Sequence, residues 1–254
     1  MQLPPARPGL PQWPPLIATR GPGTRSSRHA HHAMHFVLSV EGTLRASAGH
    51  TSAEAAGVVT APDVEHAIDA SAGPVLLVFL DPESDVGTRL VSTLTTPVRW
   101  LTAGERDALV RDADPQAILG PEGAAWTARA VEILGGEQPA SQRLMHPRVR
   151  KLLRLVATRP VDDESSLDAL AAEVGLSPSR LMHVFTESLG IPLRPYLAWL
   201  KLQRAAHAIA TGRPLADAAY AAGFADAAHM TRTFRKMFGV TPSSLRAMRD
   251  ESRR

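Results

Sequence analysis

The C-terminal part of this chain is written twice. Residues 166–192, SLDALAAEVGLSPSRLMHVFTESLGIP, resemble residues 214–242, PLADAAYAAGFADAAHMTRTFRKMFGVTP. Before the central turn the copies align at an offset of 48, pairing Leu167 with Leu215, Ala171 with Ala219 and Gly175 with Gly223. After it the offset is 49, pairing Leu181 with Met230, Phe185 with Phe234 and Gly190 with Gly239, so the second turn carries one extra residue. Each copy reads as two short helices. A small Ala at 171 or 219 lets the second helix cross the first closely, and Gly at the turn ends the first helix. Ser177 before Pro178 is a good N-cap followed by Pro at the first helical position, and Asp226 takes the cap role in the second copy. Leu181, Val184 and Phe185 fall at i, i+3 and i+4 and pack inward, as do Met230 and Phe234. This is the pattern of a helix-turn-helix, whose second helix enters the DNA major groove. Residues 193–210 between the copies are long enough for one helix of roughly 25 Å. Such a strut can hold two recognition helices about one DNA turn, roughly 34 Å, apart.

Inward packing leaves Ser179, Arg180, Met182 and His183 on the outer face of one second helix. Ala228, His229, Thr231, Arg232 and Arg235 take the outer face of the other. Arg232 is the best base reader, since Arg pairs bidentately with guanine. Met182 and Ala228 offer apolar contact, for example to a thymine methyl, and His183 can donate to a base or a phosphate. Arg180, Arg235 and Lys236 suit phosphates, which position without specifying. Charge agrees. Residues 1–145 hold eleven Arg and no Lys against fifteen acidic residues, a net −4, whereas residues 146–254 hold seventeen basic against ten acidic, a net +7. A basic half suits a polyanion.

Residues from about 148 to 249 resemble the DNA-binding domain of AraC/XylS-family transcription regulators. The resemblance rests on Ala219, Gly223, Phe224, Arg232, Phe234, Arg235, Lys236, Phe238, Gly239, Thr241, Pro242 and Arg246 in the second copy. Leu170, Ala171, Gly175, Ser177, Leu181, Phe185, Gly190 and Tyr196 carry it in the first. Lys201 departs from the family's usual Arg. The resemblance implies base contacts from Ser179, Met182 and His183, and from Ala227, Ala228, His229 and Arg232.

The front half follows another rhythm. Runs at 35–40, 43–47, 57–61 and 74–80 are short and β-like, bounded by Gly- and Pro-containing turns, and predict a small barrel or sandwich. Six of the ten histidines precede residue 67, and His29, His31, His32 and His35 crowd into seven residues. The common layout of the resembled family places a cupin barrel before the DNA-binding domain. The first cupin motif fits at Gly23, His29, His31, His35 and Gly42, with His35 where the motif has Glu. In the second motif Pro62 precedes His66 by four positions, one fewer than usual, and the usual Gly between them is absent. On a regular strand His29, His31 and His35 share a face and His32 points out. With His66 they would form a site of four imidazoles for Zn, Ni, Cu or Fe. Two other readings stand beside the metal: a metal-free effector pocket, and solvated strand ends.

The expected fold is therefore α+β. Residues 1–22, with 7 of the 21 prolines, form an extended arm or a strap; residues 23–95 a cupin-like β-barrel sensor; residues 96–145 a helical linker or dimerisation segment; residues 146–254 an all-α domain of about seven helices with two helix-turn-helix motifs. Within 96–145, Trp126, Ala130, Ile133 and Leu134 make an apolar stripe that suits either packing on the barrel or a dimer interface. Cysteine is absent, so neither disulfides nor thiolate metal sites can form. No apolar run reaches the roughly 20 residues that span a bilayer, and the N-terminus lacks the apolar stretch of a secretory signal. The sequence thus predicts a cytoplasmic, homodimeric, non-enzymatic regulator that binds double-stranded DNA and senses a metal or small effector. The alternative is a metal-dependent cupin enzyme joined to a helical module.

Overall fold

The computed structural model describes residues 16–120, 122–135, 145–158, 166–244 and 246. Among these, the residues of Gln142–Arg232 form one compact unit, and those of Pro15–Ser141 with Thr233–Arg254 the other.

The sheet-bearing unit runs β1 (Leu16–Pro22), β2 (Met34–Ser39), β3 (Leu44–Ala48), β4 (Thr51–Ala55), β5 (Gly57–Thr60), β6 (His66–Asp69) and β7 (Pro74–Leu80). It continues with α1 (Asp85–Ser92), β8 (Val98–Leu101), α2 (Ala103–Val110), α3 (Pro115–Ile118) and α4 (Gly123–Ile133). The strands form a five-stranded sheet in the order β1-β7-β2-β5-β8 and a three-stranded sheet in the order β4-β3-β6, with antiparallel pairing throughout. The expected barrel is not closed: among the described residues no ladder joins the two sheets. Single bridges, Arg25 with Asp69 and His29 with His66, tie the segment before β2 to β6.

Every residue of β2 is buried, because each of its faces meets a core. Phe36 and Leu38 join Leu76, Val78 and Leu80 of β7 in a core shared with Leu90, Leu109, Trp126 and Ala130 of the helices. Val37, of opposite parity, joins Val58, Val75, Leu44 and Ile68 in a core that draws on both sheets. His35 has the parity of Val37.

Two expected boundaries shift. Residues 16–22 are not part of an arm; β1 pairs with β7 along its whole length, from Leu16 opposite Leu80 to Pro22 opposite Pro74. Residues 1–15 lie outside the described residues. Nor do the described residues of 96–135 form a separate linker; residues 136–144 of the expected segment lie outside the described residues. β8 pairs with β5, and Trp126, Ala130 and Leu134 are buried in the core under the five-stranded sheet, with the Trp126 ring edge-on to Phe36. The apolar stripe is spent on packing rather than offered to a second copy.

The helical unit contains α5 (Pro147–Thr158), α6 (Leu167–Val174), α7 (Pro178–Leu189), α8 (Leu193–Ala210), α9 (Leu215–Ala221) and, up to Arg232, α10 (Ala227–Phe238). The Ser166 and Ser177 hydroxyls accept from the backbone N–H groups of Ala169 and Arg180, capping α6 and α7. Gly175 ends α6 at φ +71°, a left-handed conformation that Gly adopts without a Cβ penalty. Ala171, Val174, Leu181, Val184 and Phe185 form one core with Val149, Leu152 and Tyr196. The 18 residues of α8 give a length of about 27 Å. In the second copy Ala219, Met230 and Phe234 are buried, matching the inward positions read from the repeat, and Ala218 and Phe224 are buried beside them.

Candidate metal centre and nucleic-acid interface

The four histidines of the cupin motif positions come together, although residues 30–33 are not a regular strand. His29 and His66 face each other as a hydrogen-bonded pair, each backbone N–H donating to the other's carbonyl at 2.9 and 2.8 Å. Ring centroids lie 4.3 Å apart for His29 and His66, 5.5 Å for His29 and His31, and 5.0 Å for His31 and His66. Each of these three offers a nitrogen within 4.8 Å of the others. A tetrahedral ion with nitrogen ligands at about 2.1 Å sets its nitrogens about 3.4 Å apart, inside the 4.8 Å bound that the trio meets. His35 lies outside that trio but next to it, its centroid 5.0 Å from that of His31 and 5.6 Å from that of His66. It stacks flat on Phe79 at 4.2 Å, its partner across the β2–β7 ladder.

Burial and hydrogen bonding fix the form that these rings present. None is more than 6% exposed, which removes the reading of solvated strand ends. His29 Nδ1 lies 2.7 Å from the Ser27 carbonyl and His66 Nδ1 2.8 Å from that of Val64. A carbonyl oxygen only accepts, so both Nδ1 atoms carry the proton and both Nε2 atoms present a lone pair. His66 Nε2 and both nitrogens of His35 are buried without a hydrogen-bond partner among the described residues, a costly state that a metal would relieve. Burial, reinforced by the neighbouring imidazoles, holds His31 and His35 well below the usual imidazole range and brings His66 to about 4. Burial also lowers His29. The cluster is neutral at pH 7, the form that ligates metal.

His32 does not point outward. It is buried, with Nδ1 2.7 Å from Asp63 Oδ2 and Nε2 3.0 Å from Glu83 Oε1. Alternation fails because the chain leaves strand geometry just before β2. Burial disfavours charge on His32, yet the bonds to Asp63 and Glu83 outweigh it and raise the imidazolium to about 10. The clamp fixes the turn between β5 and β6, where Asp63 takes φ +63° and its N–H donates to the His31 carbonyl at 2.9 Å. Asp is among the residues that tolerate this region, so the turn forms without the motif's Gly. Asp63, Glu83 and Phe79 escaped sequence reading because nothing in their spacing marks them.

On α7, Ser179, Arg180, Met182 and His183 are all exposed, and His183 Nε2 sits 3.1 Å from Glu187 Oε1 one turn on. On α10, Ala228, His229, Arg232, Arg235 and Lys236 are exposed, whereas Ala227 and Thr231 are half-buried. The Thr231 hydroxyl donates to the Ala227 carbonyl at 2.7 Å, so its proton is already used. Asp226 accepts from the His229 N–H at 2.6 Å, as expected of the cap.

Residues 170–248 match the family model described as a helix-turn-helix domain. The arabinose operon regulatory protein of Escherichia coli is 33% identical over 124 residues, which cover 46% of this chain and 41% of that protein. Its Salmonella typhimurium counterpart is 36% identical over 107 residues, covering 41% and 37%. The transcriptional activator RhaS of Escherichia coli is 33% identical over 89 residues, covering 35% and 32%. The chain thus spans less than half the length of these curated relatives. Among solved structures, apo ToxT from Vibrio cholerae superposes with a TM-score of 0.60 at 11% identity, covering 92% of this chain and 96% of that one. ToxT with an unsaturated fatty acid bound gives 0.55 at 12% identity, covering 92% and 94%. At these identities the likeness speaks for the fold alone.

Proposed function

We propose that this chain is a sequence-specific DNA-binding transcription regulator of the AraC family, as its double helix-turn-helix and its similarity to the arabinose operon regulatory protein support, and that its N-terminal sheets sense a metal ion. The named relatives are an operon regulatory protein and a transcriptional activator, which supports a regulator over an enzyme at the level of the family. Support for DNA reading comes from two capped recognition helices with exposed outer faces. Arg232 reads a base, assisted by Ser179, Met182, His183, Ala228 and His229, while Arg180, Arg235 and Lys236 hold phosphates.

The observation that carries the sensing reading is the convergence of His29, His31 and His66, buried and neutral, two of them with their tautomers fixed by backbone carbonyls. These residues would hold a divalent transition ion such as Zn, Ni, Cu or Fe, with His35 as the fourth imidazole. The ion would supply a cross-link among the segment before β2, β2 itself and β6. A small-molecule effector would use other space: a cleft of about 750 Å³ lined in part by Arg20, Ser71, Asp112 and Asp114 shares no residue with the cluster.

Metal analysis of the purified full-length protein should find bound metal that His29→Ala and His66→Ala each remove. Full occupancy in both variants would refute the site. Footprinting on the DNA upstream of the protein's own gene should show protection that Arg232→Ala relaxes, at a cost of about 1–3 kcal/mol in discrimination at one base pair. Absence of protection by the wild type would overturn the regulator reading.

A further inference from the structure

The boundary between the two compact units falls inside α10, after Arg232, so the end of the second recognition helix belongs to the same unit as the histidine cluster. The contacts there are specific. Phe238, the last residue of α10, is buried, its ring centroid 5.9 Å from that of His31 and 5.3 Å from that of Phe79, which it meets edge-on. The Gly239 carbonyl accepts from the Ser27 N–H at 3.2 Å and from the Ser27 hydroxyl at 3.4 Å. Ser27 also orients His29, since its carbonyl accepts from His29 Nδ1. Gly239 itself has φ +68°, and a Cβ there would stand 2.6 Å from both His29 Nδ1 and the Ser27 carbonyl oxygen. Helix end, Ser27 and the His29 imidazole of the cluster therefore share one tightly fitted joint.

We propose that occupancy of the histidine cluster controls the second recognition helix through this joint: a bound ion fixes His29 and Ser27, and Ser27 holds Gly239 and the end of α10. This rests on the metal-binding reading above. Ion and DNA are then coupled reciprocally: an ion that favours the docked helix end tightens DNA reading by α10, and DNA that favours it tightens the ion. Gly239 and Phe238 have no side-chain ligand atom; they act by positioning.

The test uses the full-length protein and Zn²⁺ alone. Competition against a chromogenic chelator gives zinc affinity, and hydrogen exchange with and without zinc reports on residues 24–32 and 233–244. Zinc should slow exchange in both segments. Gly239→Ala should weaken zinc binding roughly tenfold or more, the range seen when a residue supporting a ligand is lost. Gly190→Ala, the corresponding helix end in the first copy at φ +80°, should leave zinc affinity unchanged. If zinc binds in a His66-dependent manner but exchange at 233–244 does not respond, the coupling is overturned while the metal site stands. The exchange result decides this even should Gly239→Ala fail to fold. If the wild type takes up no zinc, the metal reading fails and the coupling with it.

Discussion

At the scale of single residues, two sets of histidines set opposite pH dependences. His66 is held near 4 against an ordinary value of 6.5. As pH falls below 6.5 the unfolded chain takes up a proton that the folded chain refuses, so folding loses roughly 3 kcal/mol by pH 4. His31 and His35 act in the same direction. His32, held at about 10, contributes fully below pH 6.5 and loses its contribution as pH rises towards 10. From these histidines alone, stability of the metal-free protein should peak near pH 6.5, while the Asp81 carboxyl, raised by burial and by Glu83, opposes part of the acid-side loss. Urea unfolding of the chelator-treated protein between pH 4.5 and 9.5 measures this. His66→Gln should flatten the acid side and His32→Gln the alkaline side; profiles indistinguishable from wild type would disprove the assignment. Matching the intervals to the resembled motif named His29, His31 and His66, which lie together, and His35, which lies beside them, because the motif fixes chain spacing. It misplaced His32, because parity holds only while the backbone stays extended, and residues 30–33 do not.

At the scale of elements, what was legible depended on how strongly a segment announces itself. β7 appeared with its full bounds because PVLLVFL is a continuous apolar run between turns. β4, sequence TSAEA, was missed, since it exposes most of its side chains and lacks β-branched apolar residues. β6 holds only four residues and β8 follows a helix, so neither carries a pattern long enough to read. α4 was found, but its stripe could not name its partner: the same Trp126 and Ala130 would serve a dimer or a core. The helix-turn-helix copies were legible because repetition reports both ends of each helix. Their caps are testable. Ser177→Ala removes the acceptor for the Arg180 N–H and should lower stability by about 1 kcal/mol. Thermal unfolding of the full-length variant measures this, and no change would show that α7 is held by packing alone. Ser177→Asp, which restores an acceptor and adds negative charge at a helix start, should recover the loss.

At the scale of the whole molecule, the separation of charge between the halves makes DNA binding a salt-dependent measurement with a countable answer. Each phosphate neutralised contributes about 0.9 to the slope of log affinity against log salt concentration. Arg180, Arg235 and Lys236, all exposed on the recognition helices, are assigned to phosphates. Replacing all three by Ala should flatten the slope by about 2.7 for each subunit on the DNA. The same change in a complex of two subunits amounts to about 5.4, so the titration also counts subunits. Arg232→Ala, by contrast, removes the proposed base contact and should relax sequence preference with a smaller effect on slope. Fluorescence anisotropy with specific and scrambled duplexes across a salt series separates these outcomes. A triple variant that keeps the wild-type slope would move the phosphate contacts elsewhere on the basic half, to residues such as Arg148, Arg150 and Lys151 of α5.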